Sequence, residues 1–161
     1  MSGDIAIVLR RLVVKRAGGK CEYCLMPQSA SAFVHEPDHI IPTQHGGKTE
    51  ADNLALACLR CNRRKGPNVG SFDPETGALV PFFNPRSQTW EDHFRLVSGI
   101  IHPLTPEARV TVKILQLNDE QRIEERQRLV ALGLLRKNKF PNSRTKMKKG
   151  IFGAKGIPPN I

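Results

Sequence analysis

Several things are missing from this chain, and each absence excludes a class of protein. No apolar run approaches the ~20 residues that a membrane-spanning helix needs, so no membrane partner is expected. The opening MSGDIAIVLRRLVVKRAGG places Asp4 early and interrupts its apolar stretch with Arg10 and Arg11. A secretory signal puts its charges ahead of an unbroken apolar core and ends in a small-residue cleavage site, so the expected compartment is the cytoplasm. No internal repeat is visible. Cysteine occurs at four positions only, and residues 134–161 contain no acidic residue.

What is present suits a single domain with arms: 161 residues, 39% of them hydrophobic, enough for a real core. The net charge is +10 and unevenly placed: residues 1–70 carry +4, residues 71–133 carry −2, and residues 134–161 carry +8. A basic tail beside a mildly basic domain is the footprint of a polyanion partner, with a merely solubilising tail as the alternative.

The four cysteines form two C-x-x-C pairs, Cys21/Cys24 and Cys58/Cys61. Two residues between thiolates let a tight turn aim both sulfurs at one ion. Four such sulfurs satisfy tetrahedral Zn²⁺ and leave no open position, which makes a closed, structural site. Two disulfides are the competing reading, disfavoured by the missing signal. Thirty-three residues separate Cys24 from Cys58. That exceeds the roughly 15–20 of a zinc ribbon, so something folds between the knuckles. Phe33, Val34, Ile40 and Ile41 predict a strand that Pro42 ends. Along a strand Asp38 and His39 point to opposite faces unless it bends. Gly46-Gly47 can turn the chain back. A second strand and then a short helix are predicted over NLALACLRCNRRKG.

The combination D-H-I-I-P, H-G-G, N-L and C-x-x-C-N-x-x-K, over residues 21 to about 66, resembles the HNH endonuclease superfamily, whose core is the ββα-metal fold. The segment FFNPRSQTWEDHFRL also looks like one that follows the core in some small bacterial HNH proteins. The resemblance implies that His39 is the general base activating water. It implies that Asp38 is a ligand of a catalytic divalent ion, and that Asn53 braces the loop bearing the base. Asn62 stands where many members have the last His, so the motif reads H-N-N. An oxygen ligand there favours Mg²⁺ or Mn²⁺ over Zn²⁺.

The chemistry agrees. Phosphodiester hydrolysis needs a nucleophile, a base that titrates near neutrality and a cation against the developing charge. Imidazole, titrating near ~6.5, can be that base. Arg63, Arg64 and Lys65 could hold flanking phosphates, or merely form a solvated helix face. His35, Glu36, His93 and His102 read as structural, and His45 as a loop residue.

In the flanks, Asp4 is expected to cap a helix whose apolar face is residues 5, 8, 9, 12 and 13, packed on the zinc knuckle. Its Arg10, Arg11, Lys15 and Arg16 face either DNA or water. A turn at 73–77 precedes a short edge strand, and Phe82, Phe83, Trp90 and Phe94 read as core. Two helices follow, capped by Thr105 with Pro106 and by Asp119, the second stopped by Gly133.

The expected fold class is α+β: a ββα-metal core pinned by a Cys₄ zinc site, an N-terminal helix and a C-terminal helical hairpin. The expected boundaries are 1–19 for the helix, 20–70 for the nuclease core, 71–133 for the extension and 134–161 for a basic flexible tail. The expected function is a metal-dependent DNA endonuclease with structural Zn²⁺ and catalytic Mg²⁺ or Mn²⁺. Its expected partner is double-stranded DNA, and no small-molecule cofactor is implied. The alternatives are a zinc-stabilised nucleic-acid-binding module without catalysis, which Asn62 favours, and a zinc-held protein-interaction domain.

Overall fold

The computed structural model describes residues 5–136. Asp4 and nearly all of the expected basic tail lie outside the described residues. Helix α1 spans Ile7–Arg16. The first cysteine knuckle follows, and then β1 (Glu36–His39), β2 (Leu54–Ala57) and α2 (Leu59–Lys65). The extension contains β3 (Gly70–Phe72), β4 (Leu79–Pro81), the short α3 (Trp90–His93), β5 (Phe94–Val97), β6 (Ile100–Pro103), α4 (Pro106–Ile114) and α5 (Glu120–Ala131). The described strands pair only as three two-stranded antiparallel ladders, β1–β2, β3–β4 and β5–β6. No helix among the described residues is long and apolar enough to cross a membrane.

β2 positions everything else. Its sequence LALA is buried at every residue. Side chains alternate along a strand, so it serves two cores at once. Leu54 and Leu56 pack with Ile5 and Val13 beneath α1, while Ala55 and Ala57 join the large cluster that holds all four cysteines. That cluster continues into the extension through Phe82, Phe83, Trp90, Phe94 and Leu129. The aromatic group is therefore core, as the sequence predicts. Trp90 also donates its indole N–H to the Tyr23 carbonyl at 3.1 Å.

Two expectations for α1 need correction. Its inner face is Ile5, Leu9 and Val13, while Val8 and Leu12 are exposed. It also packs on β1 and β2 rather than on the knuckle. The reason is partly polar: Arg16 donates to the carbonyls of Ala51 (2.9 Å) and Leu54 (2.7 Å). This pins the helix end to the start of β2.

β1 is shorter than expected and later in the chain, since Phe33 and Val34 are exposed and lie ahead of it. The β5–β6 hairpin turns at Ser98-Gly99, both with positive φ. That geometry matches the strand twist of a tight hairpin. Thr105 caps α4 by accepting from the Ala108 N–H, with Pro106 at its first position. α5 ends where expected: Gly133 has φ 71°, and Leu134 and Gly133 donate back to Leu129 and Val130. Asp119 holds the cap position of α5 without a side-chain cap bond. In the extension Arg109 forks onto the buried Asp73 (2.8 and 2.7 Å), tying α4 to the turn between β3 and β4. That fork holds the Asp73 carboxyl well below the usual carboxylate range.

Candidate functional site

The two knuckles close on each other. In the first, Leu25 in the left-handed region lets its N–H reach back to the Cys21 carbonyl. In the second, Cys58 is the N-cap of α2, and its sulfur accepts from the Cys61 N–H at 3.5 Å. All four cysteines are buried and free, and their sulfurs lie within 4.8 Å of one another. Cys24 and Cys58 Sγ are 3.7 Å apart. A disulfide needs about 2.05 Å, whereas zinc–sulfur bonds of about 2.3 Å in a tetrahedron put sulfurs about 3.8 Å apart. The donor set therefore fits Zn²⁺. Burial pushes the Cys21 and Cys61 thiols up, while the hydrogen bond with Cys21 holds Cys24 down.

The second cluster lies at the end of β1. Its pairing sets Asp38 opposite Ala55 and His39 opposite Leu54. Paired residues share a face, so the two side chains do leave opposite sides of the strand. His39 is largely buried, and its Nε2 lies 2.8 Å from Thr49 Oγ1. Asp38 turns towards α2, where Lys65 Nζ lies 3.0 Å from its Oδ2. The same Nζ donates to the His39 carbonyl at 2.6 Å. Burial raises the Asp38 carboxyl more than the Lys65 charge lowers it. Its Oδ2 is buried and, although ion-paired, makes no well-aligned hydrogen bond. That oxygen has spare capacity for a cation. Asn62, three residues before Lys65 on α2, lies on the neighbouring turn of the same face and is half-buried.

Lys65 corrects one expectation. It is 1% exposed and bonded inward, so it is not a surface contact for nucleic acid. Arg63 and Arg64 beside it are exposed. Successive residues lie about 100° apart around a helix, so the three cations do not share a face, and here the acid on β1 receives Lys65.

The loop after β1 is closed by Asn53. Its Oδ1 accepts from the Ile41 N–H (2.9 Å), and its Nδ2 donates to the carbonyls of Ile41 (2.9 Å) and Lys48 (3.0 Å). A Cβ on Gly47 would fall 1.7 Å from the Ile41 carbonyl oxygen and 2.8 Å from Asn53 Nδ2, so this glycine is required by close approach. His45 spans the loop to the Pro67 carbonyl at 3.0 Å. His35 is buried with Nε2 2.8 Å from the Met26 carbonyl, and His93 Nδ1 lies 2.6 Å from Thr105 Oγ1.

Sequence reasoning missed Thr49, whose place in KTE carries no signal. It also missed Glu22, which accepts from the Leu56 N–H at 2.8 Å and pairs with Arg86, joining knuckle, β2 and extension. Arg122 was missed as well. Its guanidinium bonds the Cys61 sulfur at 3.0 Å. Burial alone would lower its pKa, yet the charges of Cys61 and Cys24 raise it above the ordinary arginine value.

A paired β-hairpin and helix held on four clustered cysteines define a small metal-knuckle domain of the ββα type. Residues 21–68 match the model of the HNH endonuclease family, and this stretch is an HNH domain. The chain is also similar to the Septu protein PtuB of Bacillus thuringiensis, 23% identical over 117 residues. That similarity covers 71% of this chain and 43% of the Bacillus protein, so the chain spans less than half the length of that relative. No solved structure matches the chain.

Proposed function

We propose that the protein is a metal-dependent HNH-type endonuclease hydrolysing phosphodiester bonds in DNA, double-stranded DNA foremost. One observation carries the reading. Within the HNH match, the His39 imidazole is held by Thr49 on a loop that Asn53 closes, beside an acid whose buried oxygen is ion-paired with Lys65 but makes no well-aligned hydrogen bond. With Nε2 engaged by Thr49, Nδ1 is left to take the proton of a water. The water oxygen attacks phosphorus, the bond to the leaving sugar oxygen breaks, and solvent protonates that oxygen. β1 ends at His39, and a phosphate seated over that end meets groups from both faces of the strand. A divalent ion such as Mg²⁺ or Mn²⁺ at Asp38 and Asn62 would supply charge against the phosphate and the leaving oxygen. Lys65 orients Asp38 and holds the His39 carbonyl, fixing the backbone that presents both groups. The exposed Arg63 and Arg64 serve flanking phosphates. Residues 20–70 would carry the chemistry, and residues 71–133 would brace it.

One observation favours a second reading. The Lys65 ammonium already neutralises Asp38, which is what a nucleic-acid-binding module that has lost catalysis would need. Plasmid cleavage separates the two. Zinc-loaded wild type and His39→Ala are compared with a chelator and with added Mg²⁺, Mn²⁺, Ca²⁺ or Zn²⁺, after folding and metal content are checked. Cutting by wild type in Mg²⁺ or Mn²⁺, lost in the folded variant, is expected. DNA binding by both proteins, with no cutting of plasmid, structured DNA or RNA in any metal, would replace the nuclease reading with the binding module.

A further inference from the structure

Four thiolates around a divalent ion carry a net charge of about −2. A buried charge of that size needs compensation from the protein. Arg122, on the first turn of α5, is 3% exposed. Its Nη2 donates to Cys61 Sγ at 3.0 Å and lies 4.0 Å from Cys58 Sγ. Its Nη1 donates to the carbonyls of Leu115 (2.9 Å) and Gln116 (3.3 Å) at the end of α4. Among the described residues no carboxylate forms an ion pair with it, so the cysteine sulfurs are its anionic partners. The carbonyls hold the planar fork in place, and the fork aims one donor at sulfur.

We propose that Arg122 belongs to the Cys₄ metal centre: it donates a hydrogen bond to the Cys61 thiolate, offsets the charge of the loaded site, and so docks the C-terminal extension on the metal. The proposal rests on the cluster holding a metal and not on any cleavage activity. A thiolate that accepts a hydrogen bond donates less charge to its metal, and partners outside the ligand set affect affinity by about 10–100-fold.

The test uses the full chain and the variants Arg122→Met, Arg122→Lys and Glu125→Ala. Glu125 pairs with Arg60 of α2 at 2.8 and 3.0 Å. Its loss therefore loosens α5 without touching sulfur. Zinc affinity is read by competition with a chromogenic chelator, and the sulfur-to-metal absorption band is read after Co²⁺ loading. Arg122→Met is expected to weaken zinc binding about 10–100-fold and move the cobalt band to longer wavelength. Arg122→Lys, keeping the charge but not the fork, is expected to lose less affinity and still move the band. Glu125→Ala is expected to leave the band in place. An unmoved band in the arginine variants, whatever happens to affinity, or an equal shift in Glu125→Ala, overturns the proposal. Should Arg122→Met fail to fold, the band of Arg122→Lys decides. A wild type that binds neither Zn²⁺ nor Co²⁺ would remove the metal reading itself, and the proposal with it.

Discussion

Replacing Lys65 with methionine isolates the contact that most sharply changes the sequence-based picture of the site. Methionine keeps much of the apolar stem but removes the ammonium, leaving Asp38 without its counter-charge and the His39 carbonyl without its donor. Breaking a buried ion pair from one side costs about 3–5 kcal/mol. The lysine side chain is 1% exposed, but Asp38 keeps 14% of its side-chain surface in water, which draws the expectation to the lower end, about 3 kcal/mol. For a chain of this length that corresponds to a melting temperature lower by about 6–12 °C. The loss depends on pH with a definite sign. Burial already raises the Asp38 carboxyl, and without Lys65 it rises further. A carboxyl raised on folding favours the native state below its unfolded pKa of about 3.9, and that benefit is lost as pH rises through the folded value. The variant's deficit relative to wild type is therefore expected to be larger at pH 8 than at pH 4. Urea unfolding of zinc-loaded wild type, Lys65→Met, Asp38→Asn and the double variant closes the cycle, and a coupling of about 2 kcal/mol is expected between two residues in contact. A Lys65→Met protein as stable as wild type, with strictly additive double-variant losses, would refute the buried pair.

Three further outcomes are expected. Gly47→Ala forces a Cβ into the Ile41 carbonyl; it should cost about 2 kcal/mol or more, and amide exchange over residues 41–53 should report loss of protection there. Removing zinc with a chelator at neutral pH should open the knuckle on which Trp90 bonds the Tyr23 carbonyl, read as a change in the fluorescence of this one tryptophan that zinc reverses. Asp73→Asn should break the fork from Arg109 and remove part of the acid sensitivity of wild type. With the Asp73 carboxyl depressed on folding, its contribution is present above about pH 3.9 and lost as pH falls towards its folded value, so melts from pH 6 to pH 2 should converge for the two proteins.

The metal knuckles and the strand–loop–strand–helix order were legible because they depend on spacing: two C-x-x-C pairs, a Gly-Gly turn, and a helix that begins at a cysteine. The caps at Thr105 and the stop at Gly133 were legible for the same local reason. What the sequence left hidden depends on contacts between distant segments. The inner face of α1 is set by where Arg16 finds carbonyls, 35 and 38 residues away. LALA reads as one apolar run, and only the two cores on either side of β2 give its alternation meaning. Lys65 looks like its neighbours Arg63 and Arg64 until the helix is rotated against β1. The β5–β6 hairpin was within reach, because Ser98-Gly99 between apolar runs is a turn signal. Thr49 and Arg122 carry no local signature at all.

The three separate ladders differ in the length of chain each one closes. β5–β6 and β3–β4 join strands close in sequence, the first through Ser98-Gly99 alone, so each closes a short loop of the kind for which hairpin formation takes about 1–10 μs. The knuckles must bring Cys21 to Cys61 across the 39 residues between them, and loop closure makes that the slower encounter. During synthesis, the first knuckle waits until residue 61 has emerged before a metal can link it to the second. The extension that covers the cluster through Arg122 arrives later. A metal bound by the two knuckles would then be covered by protein made later.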